Sequence, residues 1–355
     1  RATVAPADAG HVALFWAYAA GVWDDDDTQR HYDAAVDRLL QRVAGTYQTY
    51  RLFGGGLAGD GWVLGHIASD ADDALAVFDQ ALLDIVATTP WPAAYDLIEG
   101  LVGYGVYFVE RMAAAPDLAR RGLAHIVAHL RALQAANGGW LTKLAHMTPE
   151  HQHIAPAGYY NCGVAHGVAG IVALLGKVIE CGDPPPDTAP MHAGATAWLW
   201  AQQLPASREG RFPPWVIPEQ PPRPARTAWC YGDPGVATAL WSAAARTGKS
   251  TAAAHELARE AATRAPAATA IADAGVCHGA TGMGHVLNRC YQASGDPILR
   301  DAATAWFERA LAMPTPTTPD LLEGTTGMGL ALLAAITETE PSWDRLLLCD
   351  VPVLP

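Results

Sequence analysis

One feature constrains the chain before any other: a G-x-x-G element recurs six times, at Gly56–Gly59, Gly100–Gly103, Gly167–Gly170, Gly232–Gly235, Gly279–Gly282 and Gly324–Gly327. Self-similarity of this kind marks a repeat architecture. Successive first glycines lie 44, 67, 65, 47 and 45 residues apart, so the unit is about 45 residues long and is lengthened twice. Each copy opens a run rich in Ala, Leu and Val, such as GMGLALLAAI or GIVALLGKVI. A second helical pattern with charges on one face then follows, such as DLARRGLAHIVAHLRALQAA. The unit is a helix pair. A nearly uncharged helix is buried all round and an amphipathic one faces solvent, which gives inner and outer helices. HVALFWAYAAGVW followed by HYDAAVDRLLQRVAGTY adds a pair without the glycines, making seven.

Strand signals are sparse, so the chain is expected to be all-α. Stacked helix pairs fit an open solenoid and a closed ring equally by periodicity; the lack of an obvious polar cap favours the ring. The glycines suit turns with positive φ and close backbone approach where helices enter a crowded centre. Three connections are too proline-rich for helix interiors: PPPDTAP at 184–190, PASREGRFPPWVIPEQPPRPARTAW ending at Trp229, and PTPTTPD at 314–320. The first two are expected as loops at one rim, and the third precedes the last repeat. None reads as an interdomain linker, so residues 1–355 are taken as one domain.

Composition removes several function classes. Half the residues are hydrophobic, which supplies a substantial core and excludes disorder for most of the chain. With 36 acidic against 23 basic residues the formal charge is −13, which argues against nucleic acid as a partner. The longest apolar stretch, Val164 to Gly176, falls short of the roughly 20 residues a membrane span needs. The sequence opens at Arg1 without a Met, which leaves room for a preceding segment. Six cysteines, at 162, 181, 230, 277, 290 and 349, are too few and too scattered for a disulfide scaffold, so metal binding or catalysis becomes the question.

Three repeats carry unusual polar groups beside their glycines: Ala165-His166-Gly167, Trp229-Cys230-Tyr231-Gly232 and Cys277-His278-Gly279. If all repeats enter from the same side, these groups converge at one mouth. Cys277 and His278 are adjacent and would diverge on a helix, so to share one ion they must lie in the turn before it. With Cys230 they offer zinc two sulfurs and one nitrogen, leaving a fourth position for water or substrate, the pattern of a catalytic site. Cys230 and Cys277 as small buried hydrophobes is the competing reading. Two thiolates and a neutral imidazole cancel the charge of zinc, which suits activation of an incoming thiol, and helix N-termini at the same mouth would favour negative charge there.

His166 is placed to act as general acid or base near neutral pH, or to cap a helix. Asp96 begins DLIEG and Asp320 begins DLLEG, a recurrence that reads first as a capping box. Arg226 and Tyr231 flank Cys230 and suit donation to an anionic intermediate, or packing. His285, seven residues after His278, reads as core before it reads as a ligand's partner. Cys162, Cys181, Cys290 and Cys349 read as non-ligands, and nothing pairs His151 and His153 with the other candidates.

Taken together, GGGLAG at 54–59, YDLIEGLVG at 95–103, GYYNCGVAHGVAG at 158–170, RTAWCYGDPG at 226–235, CHGATG at 277–282 and LLEGTTG at 321–327 resemble the lanthionine synthetase C family, the LanC-type cyclases, over nearly the whole chain. The resemblance implies an α/α toroid of about seven inner and seven outer helices. It implies Zn2+ on Cys230, Cys277 and His278, with His166, Asp96, Arg226 and Tyr231 completing a catalytic site. Such cyclases add a peptide cysteine thiolate to dehydroalanine or dehydrobutyrine, forming lanthionine or methyllanthionine thioether rings. Under this reading His166 moves the proton, Asp96 orients it and Arg226 steadies the enolate. Asp60, Cys162 and Thr227 stand out as unusual for the family.

The implied partners are a dehydrated precursor peptide, with leader and core, a separate dehydratase and an exporter. The implied setting is cytoplasmic, peripheral to a membrane-associated biosynthetic complex. A stand-alone cyclase of a class I pathway is expected, with the cyclase portion of a larger synthetase as the alternative. Three other functions compete: a LanC-like enzyme adding glutathione to dehydrated residues, a toroidal glycosidase, and a non-catalytic helical peptide-binding scaffold. Stoichiometric zinc would argue against the last two.

Overall fold

The computed structural model describes residues 6–68, 72–206 and 209–352. Its helices are, in chain order, α1 (Ala9–Val22), α2 (Asp26–Val43), α3 (Leu57–Ile67), α4 (Asp72–Val86), α5 (Leu101–Arg111), α6 (Pro116–Leu133), α7 (Pro149–Ile154), α8 (Val168–Glu180), α9 (Thr188–Ala201), α10 (Asp233–Arg246), α11 (Ala252–Ala262), α12 (Ala280–Ser294), α13 (Pro297–Ala312) and α14 (Thr325–Ile336). The choice between solenoid and ring is decided by contacts: α1, α3, α5, α8, α10, α12 and α14 each pack on the next, and α14 packs back on α1. The ring is closed. Outside it α2, α4, α6, α9, α11 and α13 each lie against the inner helix that precedes them. The expected toroid is present. After α14 the chain forms a 3₁₀ segment, Ser342–Leu347, where the repeat would place an outer helix.

Burial follows the two sequence patterns. Every residue from Val168 to Val178 of α8 is buried, whereas α13 buries only the stripe Leu299, Ala303, Trp306, Phe307 and Ala310. Local signals set the boundaries between them. Gly295 (φ 68°) ends α12 in the left-handed conformation; Asp296 then caps α13 by accepting from Ile298 N, and Pro297 takes the first helical position. No helix among the described residues is long and apolar enough to cross a membrane.

The recurring glycines serve close approach more than positive φ. A Cβ on the second glycine of a repeat would lie 1.9 Å from the Trp229 carbonyl oxygen at Gly235 and 1.8 Å from that of Val276 at Gly282. The loop before each inner helix thus folds back onto its first turn. Positive φ is confined to Gly232 (φ 103°) among the first glycines; at Gly100 and Gly167 φ is negative.

Two departures from the sequence reading concern the connections. The lengthened connections meet in a small antiparallel sheet of β1 (Leu141–Thr142), β2 (Tyr159–Asn161) and β3 (Trp215–Val216), in which Tyr160 faces Leu141 on one side and Val216 on the other. Long excursions must still satisfy their backbone polar groups, and pairing with each other does so. The first two proline-rich stretches also do not share one rim. Residues 184–187 leave the C-terminal end of α8, whereas the stretch ending at Trp229 leads into the N-terminal end of α10. Pro190 is even helical, because the first turn of α9 needs no intrahelical N–H partner there.

Candidate metal and acid–base site

The loops entering the inner helices are laced together by main-chain hydrogen bonds. Leu97 N donates to Ala165 O (3.1 Å), Ala165 N to Cys230 O (3.4 Å), Cys230 N to Cys277 O (3.2 Å) and Cys277 N to Leu322 O (2.8 Å). This belt brings residues more than a hundred positions apart to one mouth. It also holds Cys277 and His278 in the turn before α12, as sharing one ion requires.

At the centre of the belt the ligand atoms of Cys230, Cys277 and His278 lie within 4.8 Å of one another. Cys230 is buried and the other two are half-buried. The thiols share a proton unequally. The hydrogen bond from Cys277 pulls the Cys230 thiol down to about 5 against the opposing effect of burial, helped by the His278 and Arg226 charges. Cys277, which holds that proton against Cys230 and is itself buried, is pushed up. His278 is raised, first by its contact with Cys230, and its Nε2 lies 3.6 Å from the Asp273 carboxylate.

His166 stands beside this group. Its Nδ1 lies 2.8 Å from Asp96 Oδ2, while Asp96 Oδ1 accepts from Glu99 N at 2.7 Å. One oxygen of Asp96 therefore caps its turn, as Asp320 does with Glu323 N (2.7 Å), and the other is hydrogen-bonded to the imidazole. Burial pulls the His166 pKa down, but the Asp96 hydrogen bond and charge, with Cys230 and Glu99 behind them, outweigh it and leave it raised. Tyr231 lies nearly parallel to His166, with ring centroids 6.2 Å apart, and its hydroxyl meets Asn161. Arg226 is exposed, has no hydrogen-bond or ion-pair partner among the described residues, and is near enough for its charge to act on both thiols and on His278.

Some first-turn amides of the inner helices are engaged by the returning loops: Val102 N donates to Tyr95 O (3.0 Å) and Gly103 N to Asp96 O (3.3 Å) in α5, and Gly282 N to Gly275 O (3.1 Å) in α12. These three are not free donors for a ligand.

The remaining candidates fall outside the group. His285 is core: it is buried, with Nε2 3.1 Å from Asp344. Cys162 is fully buried, and burial pushes its thiol up. Asp60 is a buried partner of Arg42 (2.5 Å) and of the Tyr47 hydroxyl (2.9 Å). Thr227 accepts from Arg264 at 2.6 Å, and Arg264 also pairs with the buried Asp233. His151, which had no partner in sequence, reaches the site through rings: its centroid is 4.8 Å from that of Trp215, which meets Tyr231 edge-on at 6.1 Å. Asn161 and Trp215 were not foreseen. Both lie in the lengthened connections, and insertions in a repeat protein commonly build its binding face.

With this geometry established, comparison with known proteins places it. Among solved structures the chain is similar in fold to nisin cyclase, with a TM-score of 0.81 over 96% of this chain and 90% of that one at 18% sequence identity. A search of the curated proteins finds no match. The family model described as lanthionine synthetase C-like protein matches residues 9–348. By that match the chain belongs to the lanthionine synthetase C-like family.

Proposed function

We propose that the chain, acting as one catalytic unit, is a zinc-dependent lanthipeptide cyclase that adds peptide cysteines to dehydroalanine or dehydrobutyrine to form thioether rings. The observation that carries this reading is the Cys230–Cys277–His278 group, within 4.8 Å, beside the His166–Asp96 pair. The donor set fits zinc: two sulfurs, one already inclined to the thiolate, and an imidazole, with room in a tetrahedral shell for one substrate atom. A zinc ion held by these residues supplies a lowered pKa for a substrate thiol at neutral charge.

The protein's own groups account for the proton. As the S–C bond forms at the β-carbon, the electron pair of the double bond moves toward the carbonyl and leaves an enolate. Asp96 accepts from the Nδ1 side of His166, so Nε2 is the atom that takes the thiol proton and returns it to the α-carbon; nothing is gained or lost overall. Tyr231 and Arg226 donate to the enolate oxygen. The substrate in this account is a dehydrated precursor peptide with leader and core, made by a separate dehydratase and removed by an exporter.

The test is incubation of the purified protein with a dehydrated peptide, followed by thiol alkylation and mass spectrometry. Ring formation leaves the mass unchanged and blocks alkylation. Addition of glutathione to the peptide instead would assign the chain to the glutathione-adding reaction, and neither product would leave a binding scaffold.

A further inference from the structure

A phenol can donate or accept, and what it offers a ligand depends on what already holds its oxygen. Asn161 holds Tyr231: Asn161 Nδ2 donates to the Tyr231 Oη at 3.1 Å. The amide is not free to turn round, because Asn161 Oδ1 accepts from Gly163 N at 2.9 Å, which leaves the NH2 group facing the phenol. Asn161 is fully buried and lies on β2 opposite Trp215 of β3. The Tyr231 ring is confined as well. His166 covers one face at an interplanar angle of 26°, and Trp215 meets it at 88°. A Cβ at Gly163 would stand 2.7 Å from Tyr231 Cδ1, and one at Gly167 would stand 2.5 Å from Asn161 Oδ1. Both glycines therefore leave room for this arrangement.

We propose that Asn161 is a positioning residue that makes Tyr231 an obligate hydrogen-bond donor to the enolate oxygen of the reacting peptide. The inference rests on the cyclase reading. With Oη already accepting from Nδ2 and the ring held, the hydroxyl hydrogen must point away from Asn161 and is available to substrate. A carboxylate of the same shape reverses this, since it accepts the phenol proton and turns it inward.

The zinc-loaded protein is compared with Asn161→Asp, Tyr231→Phe and the double variant, using ring formation from a dehydrated peptide. The expected result is a loss in kcat of about tenfold or more for Asn161→Asp, with KM little changed, zinc retained, and no added loss in the Tyr231→Phe background. A wild-type rate, a loss confined to KM, or a loss that adds in full to that of Tyr231→Phe would overturn the proposal.

A second readout does not depend on turnover. With tyrosines labelled at 13Cζ, the Tyr231 signal is the one missing from Tyr231→Phe, and it should shift in Asn161→Asp and in Asn161→Ala. A Tyr231 signal unmoved in both would also overturn the proposal. If the wild-type chain forms no rings, the cyclase reading fails, while this shift still decides whether Asn161 orients the phenol.

Discussion

Two pairs of a histidine and a buried aspartate stand in the ring, one open at the mouth and one enclosed, and their surroundings differ. At the mouth His166 meets Asp96 at 2.8 Å with 38% of the imidazole side chain exposed. Toward the closed end, His285 of α12 meets Asp344 of the segment after α14 at 3.1 Å with side chains 1% and 0% exposed. There Asp344 also receives Arg289 at 2.9 Å, Trp343 packs on His285, and Lys177 and Arg246 converge on Asp350. These charges belong to or hold the chain that follows α14, fastening it to α8, α10 and α12. A carboxylate–imidazole pair is therefore no mark of chemistry by itself. What separates the two is that the mouth leaves one imidazole nitrogen without a partner among the described residues, within reach of the Cys230 charge, whereas the closed end brings its charges together out of water.

The comparison breaks most sharply at the thiols. Cys277→Ala removes one of three metal donors and should lower ring formation to the uncatalysed level, read by mass spectrometry after alkylation. His166→Asn should keep zinc and lose about 10²–10⁴-fold in rate; loss of zinc in this variant as well would undo the division between metal holding and proton transfer. Asp344→Ala should do the reverse, leaving Arg289 and His285 buried without their acid at a cost of about 3–5 kcal/mol in denaturant unfolding, with the folded fraction still active.

Asp96→Asn sharpens the comparison through pH. The raised His166 pKa means that the folded chain holds this proton more tightly than the unfolded chain. The pair therefore stabilises the fold below the ordinary histidine value of 6.5, and that contribution fades as pH rises through the raised value. Because Nε2 must be unprotonated to take the thiol proton, activity rises as pH passes through the same raised value, and Asp96→Asn should move this rising limb of the pH–rate profile toward acid. A limb left in place would show that Asp96 does not tune His166. The smallest effect belongs to exposed Arg226: Arg226→Ala should retain fold and zinc and slow ring formation about tenfold, less than a buried oxyanion donor would cost.

The repeat and the candidate metal group were legible because both are written locally. Six glycine elements mark where inner helices begin, and Cys230, Cys277 and His278 sit directly beside two of them. Asp96 was half legible: its spacing to Glu99 shows the cap, but its second oxygen meets a residue 70 positions away. Asn161 and Trp215 were illegible because they become neighbours only when two long connections pair as strands, and two- or three-residue strands leave no period to read. The closed end was hidden for a related reason. Asp344 and Asp350 lie in a tail with no helical pattern, and their partners sit on helices whose apolar runs gave no hint of buried charge. The glycines were read correctly for close approach and too broadly for positive φ, since an extended first glycine can admit a returning carbonyl as well as a left-handed one.

The most direct test of the metal centre is elemental analysis of the purified, folded protein and of Cys230→Ala. About one zinc per chain in the wild type, lost in the variant while the fold is kept, is the predicted result. Folded wild-type protein without zinc, or zinc undiminished in Cys230→Ala, would contradict the assignment of Cys230, Cys277 and His278 as the ligands.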